Sequence, residues 1–139
     1  MATETATRSS VASVTERGIV PFLLWGAGLW AVAAVGVRLG GEFVLDPSAP
    51  VVVGGVYLVT LPAMTALALG ILRLHDVTVE RRGRAVAALL LPVVALDAVA
   101  LLAFGTLFPN LGAEAVGLFG AWVLVAHVGV LLAVFVPRE

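Results

Sequence analysis

Apolar residues fall into four long stretches along this chain, Ile19 to Leu39, Val51 to Leu74, Arg84 to Phe104 and Ala113 to Val136, separated by short connections that hold most of the charge. A helix rises about 1.5 Å per residue and the hydrocarbon of a bilayer is about 30 Å thick, so about twenty apolar residues cross it. All four stretches reach that length. Each is apolar on every face, without the two-residue alternation and shorter runs of membrane β-strands. The connection GGEFVLDPSAP carries Gly40, Gly41, Pro47 and Pro50 as punctuation, and GTLFPNLG is shorter still. Short connections force neighbouring spans to run in opposite directions. The pattern therefore predicts an all-α, up-down-up-down four-helix membrane bundle over residues 19–136.

Two tails flank it. Residues 1–18, MATETATRSSVASVTERG, are polar and Ser/Thr-rich, and predict a flexible tail that does not fold alone. Residues 137–139 form a short C-terminal tail. The tail is too long and polar for the start of a cleaved signal peptide, so the first span reads as a retained signal anchor.

Composition agrees with lipid as the solvent. The hydrophobic fraction is 61% and the mean hydropathy +1.12, well above soluble domains, while only 12% of the 139 residues are charged. A net charge of −1 argues against a nucleic-acid partner. Cysteine is absent, which removes disulfides, thiol redox chemistry and thiolate metal sites. All eight basic side chains are arginines. Arg73, Arg81, Arg82 and Arg84 lie in the middle connection, Arg8 and Arg17 in the N-terminal tail and Arg138 at the C-terminus. The other two connections hold Glu42, Asp46 and Glu114, with Arg38 at the end of the first span. Both termini and the middle connection are thus expected on the cytoplasmic side of the cell membrane. The cluster ERRGR reads as a topology signal that also touches anionic lipid, rather than as a ligand site.

Within the spans a few polar residues stand out, above all Asp97 in LLLPVVALDAVALLAFG. An aspartate at the centre of a membrane helix costs about 2.5 to 3.5 kcal/mol, so it must face the bundle interior and find a partner or a proton. By counting residues along ideal helices, Tyr57 and Thr60 share its depth in the outer half, and Arg38, at the outer end of the first span, can reach inward to a carboxylate a turn or two below. His127 falls about 7 Å to the cytoplasmic side by the same rise, and ranks lower as a partner. These five residues form the expected intramembrane polar site. His127 alone reads as a neutral imidazole bonded to a neighbouring helix, and no second ligand at its depth suggests a metal. Pro62 and Pro92 each remove a helical hydrogen bond and mark candidate hinges. Gly36 and Gly40, with Gly117 and Gly120, are candidate close-packing positions. Trp25, Trp30 and Trp122 lie deeper than an interfacial belt and are expected between helices.

The last hairpin reads LFPNLGAEAVGLFGAWVLVAHVGVLL. Its turn Phe108-Pro109-Asn110 and its helical stretch Phe119-Gly120-Ala121-Trp122, together with Asp97 in the third span, resemble a family of small four-span membrane proteins grouped as a domain of unknown function. His127 falls outside that pattern. The resemblance extends from the first span to the last, omits the N-terminal tail, and implies a four-span fold but no activity. Small four-span drug/proton antiporters share the topology but depend on a glutamate in the first span, which here has no acid.

Two functions remain open from the residues. One is a small transporter or channel-like protein with a polar site around Asp97. The other is a non-catalytic membrane subunit or scaffold in which Asp97 locks helix packing. No enzyme signature is present: there is no HExxH, no nucleophile elbow and no acidic cluster, and no cofactor is implied. The bundle is small for a private pathway. A second copy or another membrane protein is the expected partner, alongside the lipid.

Overall fold

The computed structural model describes the backbone of residues 2–137 and the side chains of residues 18–137. Arg138, Glu139 and the side chains of Arg8 and Arg17, which bear on orientation, lie outside the described part. Among the described residues the secondary structure is entirely helical. The helices are α1 (Ala2–Val44), α2 (Pro50–Leu74), α3 (Val79–Leu102), α4 (Phe104–Leu107) and α5 (Val116–Leu132), with a 3-10 turn at Ala113–Ala115. Four segments are long and apolar enough to cross a bilayer: Gly18–Val44, Pro50–Leu74, Val79–Leu102 and Ala113–Leu132, of 27, 25, 24 and 20 residues. The chain is a multi-pass membrane protein by this measure.

The boundaries depart from the sequence pattern in several places. At its start, α1 runs back to Ala2, so the polar N-terminal segment continues the first helix. At the other end it passes through Gly40 and Gly41 to Val44. Glycine weakens a helix by only about 1 kcal/mol, and at Gly41 a side chain would press on Leu111 of the last connection. The stop comes later. Asp46 precedes Pro47, which disfavours helix, and its Oδ1 accepts both the backbone N–H (2.8 Å) and the hydroxyl (2.7 Å) of Ser48. Those two bonds hold the Asp46 carboxyl below the usual carboxylate range.

Helix α2 ends in a Schellman turn. Asp76 takes a left-handed φ of 50°, Val77 N–H reaches Leu72 O at 3.0 Å, and Asp76 N–H reaches Arg73 O at 3.1 Å. The buried Val77 side chain fastens the turn to the core. Helix α5 stops at Leu132 rather than Val136, because the chain tightens into i→i−3 bonds from Ala133, Val134 and Phe135. The Val136 carbonyl is then taken by the buried guanidinium of Arg82.

Packing is closest between α1 and α3 and between α2 and α5, pairs that are not neighbours in sequence. The cause lies in two glycines. A Cβ on Gly26 of α1 would collide with the Leu89 carbonyl of α3 and meet the Pro92 ring at 3.0 Å; one on Gly129 of α5 would lie 2.6 Å from the Leu61 carbonyl of α2. Backbones can approach that closely only without a side chain. Gly36, Gly40 and Gly117 have nothing within 4 Å of a Cβ, and Gly120 only Leu101 at 3.8 Å. The packing glycines are therefore not the four candidates read from the sequence, because spacing says nothing about which face meets a neighbour. Helices α2 and α3 also continue unbroken through Pro62 and Pro92. Pro92 serves as a packing surface for Gly26.

Two apolar clusters fill the interior. One gathers Phe22, Ile71, Val86, Leu89 and Val130; the other gathers Val37, Leu45, Ala100 and the rings of Phe104, Phe108 and Phe119. Many other large apolar side chains face outward, including Leu102 at 91% and Val51 at 87% exposure, as lipid rather than water requires.

Candidate functional site

Between the two clusters lies a polar layer, built by one residue from each crossing and two from the last. Asp97 of α3 is 6% exposed. Its Oδ1 accepts the indole N–H of Trp30 from α1 at 2.8 Å, and its Oδ2 lies 2.9 Å from Nε2 of His127 on α5. The imidazole does not meet the carboxylate along its N–H direction, so Nε2 has ion-pair proximity without an aligned hydrogen bond. One turn away, Trp122 of α5 donates its indole N–H to the hydroxyl of Thr60 on α2 at 2.8 Å, and that hydroxyl donates to Val56 O within its own helix at 2.7 Å.

The expected partners of Asp97 are thus corrected. Arg38 donates to the Leu107 carbonyl of α4 at 2.8 Å, and Tyr57 donates to the Leu118 carbonyl of α5 at 2.5 Å. Thr60 is held by Trp122. None of the three reaches the carboxylate. His127, ranked lower by counted depth, does. The start of α5 packs with the end of α3 in one cluster, and the end of α5 with the start of α3 in the other. Helical side chains lean toward the N-terminus of their own helix, so Asp97 and His127 lean toward each other and close the offset that counting Cα positions left.

Trp30 was not among the expected site residues, although a signal for it existed. An indole N–H inside a membrane helix must find an acceptor, and Asp97 is the one acid in the spans without a loop beside it. What sequence lacked was the register. Gly26 against Leu89 and Pro92 sets Trp30, one turn on, beside Asp97.

The layer borders a cavity of about 110 Å³, lined by Trp30, Thr60, Asp97, Trp122 and His127 together with apolar side chains such as Met64 and Leu89. That volume fits a solute of a few heavy atoms, and its exposed lining is almost wholly apolar. His127 and Asp97 offer two donors to a metal at one point, and among the described residues no third His, Asp or Glu joins them.

The last hairpin closes the end of the bundle beside this layer. Phe104, Phe108 and Phe119 meet edge-on or tilted with ring centroids 5.1 to 5.5 Å apart, and Phe119 meets Trp122 at 6.2 Å. Asn110 donates its side-chain N–H to the Val37 carbonyl of α1 at 3.0 Å. The Phe-Pro-Asn turn is therefore a clasp between the hairpin and the first span.

Residues 44–139 match the model of a family of unknown function, DUF5367. The chain belongs to DUF5367. The match begins at the end of α1, so within the site Asp97, Thr60, Trp122 and His127 lie inside the DUF5367 region, whereas Trp30 and Arg38 precede it. The family region is thus shorter than the span-to-span resemblance of the sequence suggested. No curated protein and no solved structure matches the chain.

Proposed function

We propose that this DUF5367 protein is a non-enzymatic, proton-linked transporter of the cell membrane, with the Asp97–His127 pair as its proton site. The observation that carries the reading is the 2.9 Å approach of Asp97 Oδ2 to His127 Nε2 at the wall of a cavity. A lone carboxylate in a low-dielectric interior is costly, and an imidazole 2.9 Å away exchanges a proton with it once the ring turns its N–H onto Oδ2. The pair is then neutral overall, either as acid and imidazole or as carboxylate and imidazolium. Loss of that proton leaves a negative site facing the cavity, where a small cation or a second proton restores neutrality. Trp30 holds Oδ1 in every state, and so orients Oδ2 toward the imidazole.

The topology that goes with this reading is up-down-up-down, with both termini and the arginine-rich α2–α3 connection cytoplasmic. The test is proton flux in proteoliposomes carrying an internal pH dye. Asp97→Asn is expected to lower flux about a hundredfold or more, the low end for losing a positioned proton-transfer group, and His127→Gln to shift its pH dependence. The second reading, a packing lock, is favoured by the way one carboxylate ties α1, α3 and α5 together. It prevails if Asp97→Asn leaves flux unchanged and lowers only thermal stability in detergent.

A further inference from the structure

A second cavity, of about 360 Å³, lies at the end of the bundle where the span of α1 begins and α2 passes into α3. Its floor is apolar, with Ile19, Phe22 and Ala85, and its rim carries Arg81, Arg84, His75, Thr78 and Asp76. The arginines stand one turn apart on α3, exposed, and among the described residues neither forms an ion pair. His75 is positioned from two sides: its ring packs against Phe22 at 5.1 Å, and its Nε2 accepts the indole N–H of Trp25 at 2.9 Å. A nitrogen that accepts carries no proton, so the neutral ring keeps its hydrogen on Nδ1 and retains a donor. The Schellman turn at Asp76 holds this rim in place.

From this arrangement we propose that the cavity binds a phosphodiester, supplied by the headgroup of an anionic membrane lipid. Among the described lining residues, two guanidiniums against one carboxylate leave a net charge of +1, which matches the single negative charge of a phosphodiester better than the higher charge of free phosphate. Arginine forks suit phosphate oxygens, and the apolar floor suits the glycerol and first methylenes of a lipid lying beside the helices. The four arginines of the middle connection are thereby divided in role. Arg81 and Arg84 bind lipid, Arg82 fastens the chain end at Val136, and Arg73 lies outside the cavity.

The test is native mass spectrometry of the full chain in detergent, with phosphatidylglycerol or phosphatidylcholine added. One phosphatidylglycerol is expected to remain bound in preference to phosphatidylcholine, and to resist millimolar inorganic phosphate. Arg81→Gln and Arg84→Gln are each expected to weaken retention about fivefold, the effect of one basic residue at a lipid surface, and Arg73→Gln less than about twofold. Gly18→Phe keeps every charge and places a ring at the mouth of the cavity, where a Cβ meets no neighbour; it should abolish retention without changing thermal denaturation. Equal loss with Arg73→Gln, full displacement by inorganic phosphate, or undiminished retention in Gly18→Phe overturns the proposal.

Discussion

Asp97 has both carboxylate oxygens engaged, Oδ1 by the Trp30 indole and Oδ2 by the His127 imidazole, each from a different helix. Removing His127 strands the buried carboxylate, whereas removing both residues strands only the neutral indole N–H of Trp30, a smaller cost. His127→Leu alone is therefore expected to destabilise the protein by about 3 kcal/mol or more, and Asp97→Leu/His127→Leu by clearly less. Denaturation in mixed micelles measures both, and a double variant as unstable as the sum of the singles would refute the coupling. The importance of Asp97 was legible in the sequence because charge in an apolar run is costly whatever its partner. Its partner was not. Tyr57 has the right depth and Arg38 the reach, but both are spent on the carbonyls of Leu118 and Leu107.

At the scale of the elements, the pairing of α1 with α3 and of α2 with α5 rests on Gly26 and Gly129. Adding one methyl at either position drives a Cβ into a carbonyl oxygen of the facing backbone, which no side-chain rotation relieves. Gly26→Ala and Gly129→Ala are expected to lose about 1 to 3 kcal/mol of stability, while Gly36→Ala and Gly40→Ala should lose none and gain up to about 1 kcal/mol from helix propensity. A thermal-shift series in one detergent decides it, and an equal loss at Gly36 would overturn this account of the packing. The sequence offers fifteen glycines, several at helical spacing. Spacing identifies a face that permits close approach, but the rotation of each helix decides which such face is used.

For the molecule as a whole, the absence of cysteine makes sidedness directly measurable. Ser48→Cys, in the α1–α2 connection, is expected to react with a membrane-impermeant maleimide in intact cells, and Thr78→Cys, in the α2–α3 connection, only after the membrane is opened; the reverse result would invert the topology. That expectation, like the four crossings and the helical class, was determined by the sequence alone. Burial of about twenty apolar residues in lipid and the placement of arginine are properties of each segment, and need no knowledge of its neighbours. The identity of the site is of another kind. That Asp97 meets His127 and Trp30, that Gly26 and Gly129 set the helix pairs, and that two of four clustered arginines share a cavity with His75 all depend on register and rotation between helices. In a chain apolar on every face these leave little trace in the hydrophobic pattern. Only the tertiary structure decides them, because side chains that lean along their own helices, and backbones that meet at single glycines, act between segments far apart in sequence.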